Sequence, residues 1–357
     1  MIWISWCGDD DADLYVVQAE CSLAHIPYNE TSVPFPIRPS RCGQCGRGKV
    51  PDLLLTTLEP PQGLDILGQG ALIQARVQRL KKDLKGENNA REVSDVLPFL
   101  EYEIHRQLVN KLKVKGMNAI FGLNVSLSMS DRILVVLATG TAVFLAALPT
   151  PDVPKVSDTT SKEGNKAHIA KLQTKIQEKV EKNKEHFGLV GLNSKENTEV
   201  ETEEKTADVE LCAGNKDTCV LELDDIDDAD IVDSLMDAHP PSGFQVISVN
   251  TPIGEDLSQN IRLCQTFSQL WRGKLTGNAR DFSSAAHQLV TAVCFKLRRL
   301  QPCLISSLNV RKLMGKVHRI LKYFYNFSGM SRWTRRTRYR SACLGWPWAL
   351  KRRRAEI

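Results

Sequence analysis

This 357-residue chain is short of several things, and each shortage removes a class of protein. Aromatic residues make up only 6%, too few for one large core, so the length favours about two smaller domains joined by linkers. No secretory leader opens the sequence, because the apolar stretch Met1 to Trp6 is brief and Asp9, Asp10, Asp11 and Asp13 follow at once. Without such a leader the ten cysteines read as reduced thiols or metal ligands rather than a disulfide framework. The uncharged run Ile133 to Leu148 has sixteen residues between Arg132 and Pro149, short of the roughly 20 that a spanning helix needs. Its Val, Ile and central Thr139, Gly140 and Thr141 predict a buried strand instead. The motifs of serine hydrolases, zinc proteases and kinases are missing. The glycines at 68–70 and 139–141 are not followed by a phosphate-binding lysine and open no predicted helix. The expectation is a protein that is not an enzyme.

What is present is uneven. A net charge of +5 hides two opposed blocks: fifteen acids against Lys205 and Lys216 between Glu199 and Asp237, and fourteen Lys or Arg against Glu356 from Val310 onward. Such blocks read as solvated linkers or interaction tails. The basic tail, with Trp333 and Tyr339 available for stacking, could meet nucleic acid or anionic lipid.

Periodicity is clearest in residues 51–149. Leu53 to Thr57 and Leu64 to Val77 predict two strands parted by a Pro60-Pro61-Gly63 turn. Val93, Val96, Leu97, Leu100, Ile104, Leu108 and Leu112 recur at steps of three and four, predicting an amphipathic helix from about Glu92 to Lys115. Pro98 suits only a first turn, which would move the start toward Leu97. Gly116 is placed to end it. Alternation from Leu123 to Met129 and the run from Ile133 give two more strands. The order is ββαββ, an α+β layer with one helix covering an antiparallel sheet. Residues 150–238 read as a linker holding a loosely attached helix at about 166–187 and an acidic disordered stretch. Residues 239–303 restart the pattern as ββα and then stop, so the second unit is predicted to be incomplete, leaving apolar surface open to self-association.

Residues 21–50 are rich in proline and turns and end in CGQCG, where Cys42 and Cys45 have zinc-knuckle spacing. Cys21 and His25 would complete four ligands. Two readings stay open here, a zinc site and free thiols in a degenerate ribbon. Cys7 is a more distant candidate, Cys212, Cys219, Cys264, Cys294 and Cys303 read as simple thiols, and His105 reads as a helix-surface residue beside Glu101.

The combination PDLLLTTLEPP, GALIQAR, LPFLEYEIHRQLVNKLKVKGMNAIFGLNV and ATGTAVFLAALPTP resembles the eukaryotic YbjQ-like module family, with Gly116, Asn118, Ala119, Gly122 and Ala138 to Val143 as hallmarks. The resemblance covers about residues 21–303. It divides the chain into an unmatched leader (1–20), a cysteine ribbon (21–50), a YbjQ-like module (51–149), a linker (150–238), an incomplete second module (239–303) and an unmatched basic tail (304–357). It implies a cytoplasmic trafficking protein, peripheral at the vesicle membrane, cell cortex and plasma membrane. That protein would support insulin-stimulated translocation of glucose-transporter vesicles and their fusion with the plasma membrane. Calcium-dependent phospholipid binding would belong to an N-terminal C2 domain, so the chain reads as a fragment to whose residues no calcium ligand carries over. Partners would be the trafficking machinery, phospholipid, and further copies through the module's sheet; nucleic acid is the alternative reading, as is a zinc-ribbon scaffold. The family has a cysteine where this chain has Ala24, which narrows a zinc site to Cys21, Cys42, Cys45 and His25.

Overall fold

In the computed structural model, residues 21–26, 39–82, 86–129, 133–158, 166–190, 220–223, 235–253, 267–274, 279–314, 320–327 and 329–332 are described. The leader 1–20 with Cys7, the tail 333–357 with Trp333 and Tyr339, Cys212, Cys219, Cys264 and most of the acidic block lie outside the described residues.

A hairpin of β1 (Pro39–Arg41) and β2 (Lys49–Pro51) leads into β3 (Leu54–Leu55), β4 (Ile66–Leu80), α1 (Glu87–Val114), β5 (Ala119–Met129) and β6 (Ile133–Leu145). The last five are the predicted ββαββ unit, and the spatial order of its strands is β3-β5-β6-β4. The sheet is not wholly antiparallel: Leu54 and Leu55 run parallel to Ala119 and Ile120. Parallel pairing needs a long crossover, and β4 with α1 provides one. Helix α1 starts ten residues before Leu97 and carries Pro98 in its interior. Packing explains why the helix tolerates this. Leu100, Ile104, Leu108 and Leu112 are all 0% exposed, each stabilising by about 1.5–3 kcal/mol, against roughly 3 kcal/mol for an interior proline. Gly116, at φ 71°, ends the helix as its sequence position predicted.

Strand β6 has two dry faces. Leu134, Val136, Ala138, Ala142 and Phe144 pack with Ile73, Ala75 and Val77 beneath α1. Leu137 points the other way, into Phe244, Val246, Leu289 and Val293. Val143 and Leu145 join Ile247, Val249 and Leu304. A strand covered on both sides reads as a continuous apolar run, which accounts for the missing charges. At Gly140 an added Cβ would lie 2.5 Å from Cγ2 of Ile120, so this glycine permits close packing of strands rather than holding a phosphate.

The linker is more ordered than its composition suggests. Strand β7 (Lys155–Asp158) runs parallel to β8 (Val220–Leu223), which lies inside the acidic block. Helix α2 (Lys166–Phe187) buries Leu172, Ile176 and Val180 against Val114 and Leu235. Asn183 Nδ2 donates to the Val114 carbonyl at 2.7 Å. The helix is therefore docked rather than loosely attached.

The second unit holds β9 (Phe244–Val246), β10 (Phe267–Lys274), α3 (Ala279–Leu297), β11 (Cys303–Ser306), β12 (Asn309–Met314), β13 (Ile320–Phe327) and β14 (Gly329–Arg332). Strand β9 is parallel to β11, as β3 is to β5. Strands β11 and β12 pair antiparallel with β14 and β13, and β13 pairs with β10. This is the first unit's strand order with its two long strands each broken once. The break at Ser307, φ 55°, matches the bulge of β5 at Gly122, φ 60°, and ISSLNV at 305–310 echoes IFGLNV at 120–125. The expectation of an incomplete module ending at residue 303, with only a basic tail beyond it, is thus corrected. Strands continue to Arg332, because the basic residues between Val310 and Arg332 are interleaved with strand-forming Val, Leu, Ile, Tyr and Phe.

The apolar surface expected to stay open packs instead on the first unit, with Leu72 and Leu137 against α3 and β9. Thr141 fastens the contact: its Oγ1 accepts from the backbone N–H groups of Ser248 at 2.8 Å and Val249 at 3.2 Å. Gln245 Nε2 donates to the Gly70 carbonyl at 2.9 Å, and the Glu59 carboxylate accepts from Asn250 N at 2.9 Å.

Candidate metal centre

Two short pieces of chain build the ribbon. The β1–β2 hairpin pairs Pro39 with Pro51 and Arg41 with Lys49. At its tip the Cys42 N–H donates to the Gly48 carbonyl at 2.8 Å, and the Gly46 N–H to the Cys42 carbonyl at 2.9 Å. Gly46 takes φ 67° to close the knuckle. A short 3-10 turn, Ser22–Ala24, follows Cys21 and presents His25. The Ile26 N–H donates to the Lys49 carbonyl at 2.8 Å, which fixes this piece alongside β2.

The four predicted ligands converge. One ligand atom each from Cys21, His25, Cys42 and Cys45 lies within 4.8 Å of all the others. Cys45 Sγ is 3.4 Å from His25 Nε2. A tetrahedral zinc site with Zn–S of about 2.3 Å has edges near 3.8 Å, so the cluster is close to the size such an ion draws together. Cys42 and Cys21 are buried, at 2% and 7% exposed, while His25 and Cys45 are half-buried. A four-ligand N/S set without an open position is of the structural kind.

Local electrostatics differ from one thiol to the next. The Gly48 and Arg47 backbone N–H groups pull Cys45 down to about 6, and the Gly48 N–H lies 3.4 Å from Cys45 Sγ. Burial first, then hydrogen bonds and charge from the neighbouring sulfurs, pushes Cys21 up to about 11. A bound divalent cation would favour the thiolate at every cysteine of the set.

Glycines shape the setting. A Cβ on Gly48 would overlap the His25 ring, with Nδ1 left at 2.5 Å. Gly48 thus leaves room for the imidazole to enter, a role its sequence position did not announce. Gly43 lies flush on the first module, its N–H donating to the Ala147 carbonyl at 2.9 Å, and Gln44 Nε2 donates to Asp65 Oδ2 at 2.6 Å. Ala24 is buried beside the cluster, and His25 stands as the fourth donor.

The remaining candidates stay apart from this centre. Cys294 and Cys303 are buried free thiols of the second core, pushed up by burial to about 11 and about 12. His105 Nδ1 meets the Glu101 carbonyl at 2.8 Å, a contact within its own helix. Gly68 and Gly70 are close-approach points: a Cβ on Gly68 would come 2.9 Å from Leu189 Cδ2, and one on Gly70 would come 3.1 Å from Ile253 Cδ1. Among the described residues no helix is long and apolar enough to cross a membrane.

Comparison with known proteins bears on both units. Residues 47–151 match the family model described as C2 domain-containing protein 5, YbjQ-like domain. Residues 241–315 match that of C2 domain-containing protein 5, fifth YbjQ-like domain. The C2 domain-containing protein 5 sequences of Mus musculus and Homo sapiens are each 38% identical over 315 residues, covering 81% of this chain and 31% of the relative. That of Xenopus tropicalis matches to the same extent. The chain therefore spans about a third of the length of these relatives.

Proposed function

Because the chain belongs to the YbjQ-like family of C2 domain-containing protein 5, we propose that it is a non-enzymatic scaffold of membrane trafficking whose ribbon is held by a zinc ion. Cys21, His25, Cys42 and Cys45 would hold the ion. When bound, zinc would neutralise the thiolates and cross-link two pieces of chain that share only a few backbone hydrogen bonds. The protein's own groups do the rest. Gly43 and Gln44 fix the ribbon to the end of the first module, and Thr141 fastens the second module to the first. The result is one continuous platform for partners. In this reading the chain sits in the cytoplasm, peripheral at the vesicle membrane, cell cortex and plasma membrane. Its partners are the vesicle and plasma-membrane fusion machinery, and it supports insulin-stimulated delivery of glucose-transporter vesicles. Calcium and phospholipid would act through the C2 domain of longer family members.

The observation that supports the scaffold reading is the convergence of four N/S donors on a ribbon clasped to the module. Metal analysis of the full chain tests it: one zinc per chain, lost in Cys42→Ser and Cys45→Ser, supports it, and a stoichiometry near zero removes it. Surface delivery of the transporter, measured in insulin-treated cells expressing wild type or Cys42→Ser, tests the trafficking role. Equal delivery with wild type, with the variant and without the chain would reject it.

A further inference from the structure

Three lysines and two histidines surround one carboxylate where α1, α2 and residues 235–239 meet. Lys111, in the last turn of α1, donates from Nζ to Asp237 Oδ1 at 2.9 Å with its own side chain 6% exposed. Lys115, one turn further, is also 6% exposed. Its ammonium lies 5.7 Å from the centre of the Phe187 ring, and among the described residues it meets no hydrogen-bond acceptor. Lys179 reaches in from α2, half-buried. His186 and His239 stack at 4.0 Å between centroids, and Phe187 packs edge-on to both.

Among the described residues the charges in this nook do not balance. Asp237 is the one described carboxylate felt by Lys115 and Lys179, and it is already bonded to Lys111. Burial holds the Lys115 ammonium below the usual lysine range; Asp237 opposes this, and Lys111 and Lys179 push it further down. His186 is held down by burial, Lys115 and Lys179, and His239 by burial, His186 and the same two lysines, so they remain neutral. A cation taken out of water without a counter-ion is costly, and a nook that keeps buried Lys115 beside half-buried Lys179 is suited to an anion.

We propose that Lys111, Lys115 and Lys179 form a binding site for a phosphate-class dianion, and that Asp237 is an internal stand-in which the ligand displaces. Asp237 closes the acidic block that begins at Glu199, so the chain supplies its own competitor, with one negative charge where a phosphate monoester brings two. Half-buried Lys179, Asp237 and His239 and exposed His186 leave a way in from solvent. The ligand's chemistry is that of a phosphate monoester, whether free or on a lipid headgroup. The site is independent of the zinc ribbon and of the trafficking role.

The test is calorimetric titration of the full chain with inorganic phosphate, against chloride at equal ionic strength. Binding is expected in wild type, weakened at least tenfold in Lys115→Met and Lys179→Met, and tightened about tenfold in Asp237→Asn, where a like charge is removed at close range. Lys179 is only half-buried, so its variant keeps the question open to measurement if Lys115→Met fails to fold. A soluble inositol phosphate and phosphatidylcholine vesicles with or without a phosphatidylinositol phosphate separate the sources. Binding of the soluble ligand alone indicates a free phosphate, and binding of the doped vesicles as well indicates a headgroup. Phosphate heats equal to those of chloride, or unchanged by both lysine substitutions, would overturn the proposal.

Discussion

Replacing Gly48 by alanine separates the geometry of the metal centre from its chemistry. The substitution removes no ligand and changes no charge, and Gly48 is not among the glycines at positive φ, so alanine fits its backbone. The new methyl would nevertheless overlap the His25 ring, with even Nδ1 at 2.5 Å. Restoring ordinary contact, about 3.5 Å between atoms, requires the ring to retreat by about 1 Å. Ligand distances at a metal tolerate only about 0.2 Å. The imidazole can turn away at little cost, but only by leaving the Cys45 sulfur that it meets at 3.4 Å. Zinc affinity of the full chain is therefore expected to fall about 10- to 100-fold, read by competition with a chromophoric chelator. His25→Ala should lose a similar amount, and the double variant no more than either alone, because both act on one ligand. Unchanged affinity in Gly48→Ala, or additive losses in the double variant, would refute the reasoning.

Thr141→Val keeps the shape of the side chain but strands the Ser248 and Val249 N–H groups. It should cost about 1–3 kcal/mol per donor, read in the denaturation midpoint and in lost exchange protection at 244–249; full protection would contradict the docking. Pro98→Ala should raise stability by up to about 3 kcal/mol by restoring a hydrogen bond within α1, and a lower midpoint would count against that account. Acidification should loosen the contact of residues 235–239 with α2. His239 is lowered from 6.5 to about 4, by burial first and then by His186, Lys179 and Lys115. The open form thus binds the extra proton. Stability is whole above about 6.5 and drains as pH falls toward 4. Protection factors at 235–239, corrected for the intrinsic exchange rate, that are equal at pH 5 and pH 7 would exclude the effect.

The parts of this fold that were legible carry their signal locally. Helix α1 showed in the spacing of Leu100, Ile104, Leu108 and Leu112, and β6 in its lack of charge. The four residues that converge were readable as a candidate set from the spacing of Cys42 and Cys45 with Cys21 and His25 nearby upstream, with free thiols as the other reading. The end of the second unit was missed although it was written twice: LNV at 308–310 repeats LNV at 123–125, and ILKYFYNF is a strong strand sequence. The density of lysine and arginine in this stretch masks both. The lysine nook was not readable at all, since Lys111 and Asp237 lie 126 residues apart and only the folded chain joins them. Gly48 was likewise silent, because the His25 ring it accommodates belongs to another piece of chain.

The two dry sides of β6 have a consequence for how such tandem modules can be separated. Cutting the chain between them would not release two finished bodies; it would strip a coat from Leu72 and Leu137 and leave the Thr141 hydroxyl facing nothing. Recombination that shuffles a lone module must therefore also repaint that wall, and modules inherited as neighbours are free to keep it greasy.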